Sequence, residues 1–214
     1  MQRKEQILMT AVRLFNDKGY ANVSLREIAK EAGTTIGNLT YHFPKKEDLV
    51  LNLLDTLQTK FILDVPYDKH RAELLSHLLN SFLTAEENEK EHPFYYKNIY
   101  ELTMGSETLA NRNKEFQKNL YDYYMQIFTT LREDGVLKKT VRNCDIAAMV
   151  YIIVLSTATW LQGNAPYQNE LLPNFSVSQT LSHMVYGNIS EDYQEEFRKL
   201  RKEKKLDMEE NGIP

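Results

Sequence analysis

The chain is poor in residues that interrupt helices. Eight glycines and six prolines are spread over 214 positions, which argues against a turn-dense all-β protein. A single cysteine, Cys144, excludes an intrachain disulfide and a cysteine-based zinc cluster, and it suits a reducing compartment. The apolar run from Ile146 to Leu161 covers only 16 residues and contains Ser156, Thr157 and Thr159. A membrane span needs about 20, so a buried helix is expected there. The opening residues MQRKEQ hold no apolar signal core, so a cytoplasmic location is expected rather than export. Five histidines are scattered, and no Ser-His-Asp run, HExxH helix, P-loop or Rossmann glycine pattern is present. Neither catalysis nor a cofactor is expected. His70 and His77 stand on one helical face, but no carboxylate or third histidine falls at ligand spacing, so they read as ordinary histidines and no metal site is expected.

There is no excess of positive charge either. The net charge of −4 would by itself argue against nucleic acid. Its distribution argues the other way: residues 1–60 carry 9 Lys+Arg against 7 Asp+Glu, and the remainder carries 17 against 23. The amino-terminal end is therefore the one suited to meet phosphate. What the chain does have is 42% hydrophobic residues and many Leu, Glu and Lys, enough for an all-α protein with a substantial core.

The most informative stretch runs from Ser24 to Leu49, SLREIAKEAGTTIGNLTYHFPKKEDL. Ser24 suits an N-cap and Glu27 completes a capping box. Ile28, Ala29 and Ala32 form a buried stripe, and Gly33 supplies the left-handed residue that ends the helix. Thr34 and Thr35 offer caps for a second, two-turn helix in which Leu39 faces inward. Ile36, Asn38, Thr40 and Tyr41 face outward. Phe43 and Pro44 close it, and Lys45, Lys46, Glu47 and Asp48 open the next. Two helices about a glycine-bearing turn form the helix-turn-helix pattern that reads DNA. Before it, Arg3 to Lys18 is an amphipathic helix with Ile7, Ala11, Leu14 and Phe15 inward. Arg3 and Lys4 either reach phosphate or form a solvated basic end.

These residues resemble the amino-terminal domain of the TetR/AcrR transcriptional regulators. The likeness rests on Ala11 and Phe15, Gly19-Tyr20, the run Ser24 to Gly33, Gly37-x-Leu39, Tyr41-His42-Phe43 and Lys46-Glu47-Asp48-Leu49, about a quarter of the chain. Family members often carry Tyr directly after the recognition-helix Leu. Thr40 stands there instead, so the operator cannot be carried over. The resemblance implies a three-helix helix-turn-helix domain at 1–48, with its motif at about 24–43. A larger helical domain for effector binding and dimerisation would follow at 49–206, and a tail at 207–214. DNA contacts are expected from Arg26, Thr34, Thr35, Ile36, Asn38, Thr40, Tyr41, His42, Lys45 and Lys46. Ile36 suits a thymine methyl and Asn38 a base edge, whereas Tyr41 and His42 suit phosphate. Lys46, matching the family's phosphate-contacting lysine, is preferred over Lys45. Arg26 either reaches DNA or pairs with a carboxylate, and the resemblance favours DNA.

Lys45 to Asp64 reads as a connecting helix with Leu49, Leu53, Leu54, Leu57 and Phe61 inward, broken at Val65-Pro66-Tyr67. Residues 68–91 form the next, with Leu74, Leu75, Leu78, Leu79, Phe82 and Leu83 buried and EENEKEH an exposed end. Pro93 starts another helix. Nine of the 23 aromatics then fall between Phe94 and Phe128, a density that admits two readings. Tyr96, Tyr100, Met104, Phe116, Tyr123 and Tyr124 line a pocket for an apolar or planar effector, or they fill a core with large side chains. Asp134-Gly135 ends this region. Asp145 is expected to cap a helix reaching Gly163 and buried all round. It pairs with residues 176–188 as the homodimer interface, with a loop at 162–173 between them. A last helix, 191–206, shows Tyr193, Phe197 and Leu200 inward and a Glu195–Lys199 pair. The expected function is a sequence-specific regulator, a homodimeric repressor on a near-palindromic duplex operator, released by a small-molecule effector. The alternatives are an activator or scaffold without an effector and, remotely, a helical enzyme.

Overall fold

The structure is a computed structural model, described over residues 3–61, 71–164 and 176–207. Within them the chain forms ten helices: α1 (Arg3–Lys18), α2 (Leu25–Glu31), α3 (Ile36–His42), α4 (Lys46–Phe61), α5 (Arg71–Glu91), α6 (Pro93–Met104), α7 (Glu107–Glu133), α8 (Asn143–Asn164), α9 (Val177–Tyr186) and α10 (Glu191–Glu203). The protein is all-α, as its scarcity of Gly and Pro implies. The break at Val65-Pro66-Tyr67, His70, the tail beyond Asp207 and most of the expected loop at 162–173 lie outside the described residues. So do the side chains of Phe61, Trp160 and Leu161.

Two compact units emerge, 1–60 with 91–116, and 61–90 with 117–214. The first reaches past residue 48, taking in α4, α6 and the start of α7 as well as the three short helices. Its core is the inward face of each element. Ile7, Ala11, Leu14 and Phe15 of α1 meet Ile28 and Ala29 of α2, Leu39 of α3 and Phe43 behind it, all at most 3% exposed. Leu49, Val50, Leu53, Leu54 and Leu57 give α4 its buried stripe. Phe94 of α6 packs on Phe15, ring centroids 5.1 Å apart. Asn16 ties α1 to the start of α6: its Nδ2 donates to the Glu91 carbonyl at 2.9 Å and its Oδ1 accepts from the Phe94 N–H at 3.3 Å. His92, the N-cap residue of α6, makes no such side-chain cap, so a neighbouring helix supplies it.

The second unit packs α5, the rest of α7 and α8–α10. Leu75, Leu78, Leu79 and Phe82 are fully buried, as are Tyr124, Ile127, Phe128 and Leu131. Leu83 is half-buried. Gly135, at φ +74°, ends α7, with the Val136 and Gly135 N–H groups returning to the Leu131 and Arg132 carbonyls. The chain then clasps the α9–α10 corner. Lys138 N–H donates to Asn188 and Ser190 N–H to Val136, at 2.9 and 2.8 Å.

Several sequence expectations fail here for physical reasons. The EENEKEH end of α5 is solvated on one side only: Glu87, Lys90 and Glu91 are exposed, but Asn88 and Glu89 are 0% and 5% exposed. Glu86 holds the Lys90 ammonium and accepts from the Ser178 hydroxyl 92 positions away, a partner that no local pattern reveals. Asp145 lies inside the first turn of α8 and accepts from the Arg142 N–H at 2.8 Å. With the Arg142 guanidinium beside it, its carboxyl is pulled down to about 2. Glu195 pairs with Arg198 at 3.1 Å, and Lys199 faces Glu203 at 4.0 Å, an equally short reach on a helical surface. Helix α8, read as part of a subunit interface, leaves Tyr151, Ile152 and Leu155 63%, 46% and 48% exposed in the single chain.

Candidate nucleic-acid interface

Helices α2 and α3 are set by their ends. The Ser24 hydroxyl accepts from the Glu27 N–H at 3.2 Å and starts α2. The Glu27 carboxylate is drawn mainly to the Lys18 ammonium, 2.6 Å away, so the expected capping box is dominated by its Ser24 half. Gly33 stops α2 at φ +61°, with Thr34 and Gly33 N–H groups bonded back to Ala29 and Lys30. The Thr35 hydroxyl then accepts from the Asn38 N–H at 3.1 Å and opens α3. Leu39 and Phe43 are completely buried behind it.

That anchoring turns the remaining residues of α3 outward. Ile36 is 42% exposed and Tyr41 81%, an unusual exposure for side chains of this size. Thr35 and Arg26 are exposed, and Thr34, Asn38, Thr40 and His42 are half-buried. None of these is sealed inside. Their polar groups are not equally available. The Asn38 Nδ2 donates to the Thr34 hydroxyl at 2.8 Å, which orients its amide. The Thr40 hydroxyl donates to its own helix, to the Ile36 carbonyl at 2.9 Å. It is left with a lone pair and a methyl to present.

The two lysines at the start of α4 differ. Lys45 is exposed, with its ammonium 3.8 Å from Glu47. The Lys46 ammonium lies over the Tyr20 ring at 4.2 Å and the Phe15 ring at 5.8 Å, and burial lowers its pKa. Lys46 therefore rests on an aromatic ledge, and extension to a phosphate means leaving it. The Tyr20 side of this arrangement has no signature in helical periodicity, because Tyr20 lies in the turn between α1 and α2.

The six aromatic-region candidates fall in both units. In the first, Tyr96 and Phe116 are 5% and 3% exposed, whereas Tyr100 and Met104 are 70% and 72% exposed. Tyr96 and Tyr100 thus share no buried face, which corrects the expectation that they line one space. In the second, the Tyr123 hydroxyl is 2.7 Å from His77 Nε2 and its ring is 5.0 Å from that of Tyr124. Tyr124 is fully buried, 6.0 Å from Phe82, and burial raises its phenol far above the usual range. Both behave as core.

A cavity of about 440 Å³ opens instead within the first unit, against Tyr20, Asn22, Glu47, Asn98, Glu101 and Leu102. None of the six aromatic-region candidates lines it. Among the described residues no group of His, Cys, Asp and Glu is arranged to hold a metal, and no helix is long and apolar enough to cross a membrane.

Residues 7–53 match the model of the bacterial regulatory proteins of the tetR family. Over 206 residues the chain is 27% identical to the HTH-type transcriptional regulator EthR of Mycolicibacterium smegmatis, covering 87% of this chain and 88% of that one. A TetR-family transcriptional regulator from Marinobacter aquaeolei VT8 superimposes with TM-score 0.77 at 22% identity, over 95% of this chain and 98% of the other. The SmeT–triclosan complex superimposes with TM-score 0.67 at 16% identity, over 89% and 93%.

Proposed function

We propose that the chain is a DNA-binding transcriptional regulator of the tetR type, as the match of residues 7–53 and the likeness to EthR support, and that it acts as a homodimeric repressor released from its operator by a small-molecule effector. The observation that carries the DNA half is α3. Leu39 and Phe43 hold it from behind, while Ile36, Asn38 and Thr40 stand outward on a two-turn helix that fits a major groove. The dimer is supported by the uncovered apolar stripe Tyr151, Ile152 and Leu155 on α8. Two heads held by one two-fold interface would meet two half-sites on a near-palindrome. An effector would act by preferring the conformation that DNA disfavours. The SmeT–triclosan complex shows a neighbour of this fold holding a small molecule, which supports the effector part by analogy only. The packed Tyr123–Tyr124 region favours a second reading, a regulator without an effector in that region.

The test is selection of duplexes from a random-sequence pool, followed by gel shift of the selected sequence. Replacing Ile36, Asn38 and Thr40 together by alanine should abolish preference for the selected DNA over bulk DNA. Base contacts of this kind contribute about 1–3 kcal/mol each. Unchanged preference would remove α3 as the reading element. Changing Lys46→Ala should behave differently. It should weaken binding to every sequence and reduce the salt slope by about one unit, as one phosphate contact does. A salt slope equal to that of the unmodified protein would leave Lys46 as part of the Tyr20 stack alone.

A further inference from the structure

The 440 Å³ cavity of the first unit falls within the range of about 300–1,000 Å³ common to small-molecule sites. Its walls include Tyr20 from the α1–α2 turn, Glu47 from the first turn of α4, and Asn98, Glu101 and Leu102 from α6. Two carboxylates line it and no lysine or arginine does. Glu47 is the better placed of the two, with only 25% of its side chain exposed. Its Oε2 accepts from the Ser106 hydroxyl at 2.9 Å, and its Oε1 lies 3.8 Å from the mostly exposed Lys45 ammonium. A partly desolvated carboxylate whose ion pair is this long and exposed has room for a closer cation. The Tyr20 phenol reports the same field, raised first by burial and then by Glu47 and Asp48. Apart from the Asn22 and Asn98 amides and the Ser106 hydroxyl, the rest of the wall is apolar or glycine, which suits an organic body rather than a hydrated metal ion.

We propose that this cavity binds a small organic cation, an amine or amidinium with an apolar body, through Glu47 and Glu101. The proposal rests on the effector part of the function given above and gives that effector a place and a charge. N–H donors on the cation would form charge-assisted bonds to the carboxylates, with Leu102 and Tyr20 covering its body. The site also touches the DNA-reading machinery: Glu47 follows Lys46 in sequence, and the Tyr20 ring that walls the cavity carries the Lys46 ammonium. A cation drawn to Glu47 competes with the Ser106 hydroxyl that braces α4 to the start of α7.

Benzamidine, cationic at neutral pH, and benzamide, its neutral counterpart of nearly the same shape, separate charge from shape. Calorimetric titration of the full chain should show benzamidinium binding at least about tenfold more tightly than benzamide, the worth of one charge-assisted hydrogen bond. Glu47→Gln and Glu101→Gln keep size and one acceptor oxygen but remove the charge, and should each weaken benzamidinium by about tenfold while leaving benzamide nearly unchanged. Tyr123→Phe, in the other unit, should leave benzamidinium affinity unchanged. No benzamidinium binding, equal binding of the two compounds, or indifference to both glutamine variants overturns the proposal. So does loss of binding in Tyr123→Phe with both variants intact. The same preparations are assayed on the selected DNA. DNA selection without benzamidinium binding removes the cavity site and leaves the regulator standing, whereas failure to select any DNA removes the regulator reading and leaves the titration to decide the site.

Discussion

Replacing Ile152 and Leu155 together by glutamate should turn the protein into a monomer and lower its affinity for a duplex with two half-sites on the order of a hundredfold or more. Both residues lie on the stripe of α8 that the single chain leaves uncovered, 46% and 48% exposed. Inside a symmetric interface each charge would be buried twice without a partner, at several kcal/mol per site. Within the protomer each side chain is about half covered, so thermal stability measured at low protein concentration should fall by only about 1–2 kcal/mol. Affinity for a duplex carrying one half-site should be unchanged, because each head still makes its own contacts. Sedimentation and gel shift on the two duplexes read these effects. A double variant that sediments as the unmodified protein does, with full affinity for paired half-sites, would place the dimer interface elsewhere.

How far the fold could be read from sequence depends on how local each cause is. The inward set of α1, Ile7, Ala11, Leu14 and Phe15, is the buried set in the structure, because a 3.6-residue period is written within four turns. Gly33 takes the left-handed conformation expected of it, and Gly135, expected only to end its region, takes the same one, since only their own backbone decides it. The burial of Asn88 and Glu89 was not legible, since α5 looks polar there until distant partners are known. The half-folded Lys46 likewise depends on Tyr20, 26 positions earlier. Aromatic density between Phe94 and Phe128 pointed to two readings, and residue type could not choose between them. Tyr100 stands in solvent while Tyr124 is sealed, because helix phase, not identity, decides which side a tyrosine takes. The cavity eluded pattern reasoning for a related reason. It is assembled from a turn, a helix start and a helix middle that share no period, and its two carboxylates look like ordinary surface charge in sequence.

Phe43→Ala should cost the first unit about 3–5 kcal/mol, the usual penalty for emptying a fully buried phenylalanine site. Phe43 is 0% exposed and ends α3, its N–H returning to the Leu39 carbonyl at 2.8 Å. The Lys4 ammonium stands 5.7 Å from its ring centre, so the ring also links α3 to α1. Domains are stable by only about 5–15 kcal/mol in all, and the loss therefore removes much of the margin that holds the reading helix in place. Urea unfolding followed by far-UV circular dichroism should show the unfolding of the first unit moved to lower denaturant. DNA binding should fall for every sequence alike, because the helix loses its support rather than its chemistry. Ile36→Ala is the matched control on the opposite face of the same helix, where the side chain is 42% exposed. It should shift stability by no more than about 0.5 kcal/mol and act on sequence preference instead. If Phe43→Ala changes stability by as little as Ile36→Ala does, then α3 is not held from behind as described, and its outward residues lose the rigid backing on which base reading depends.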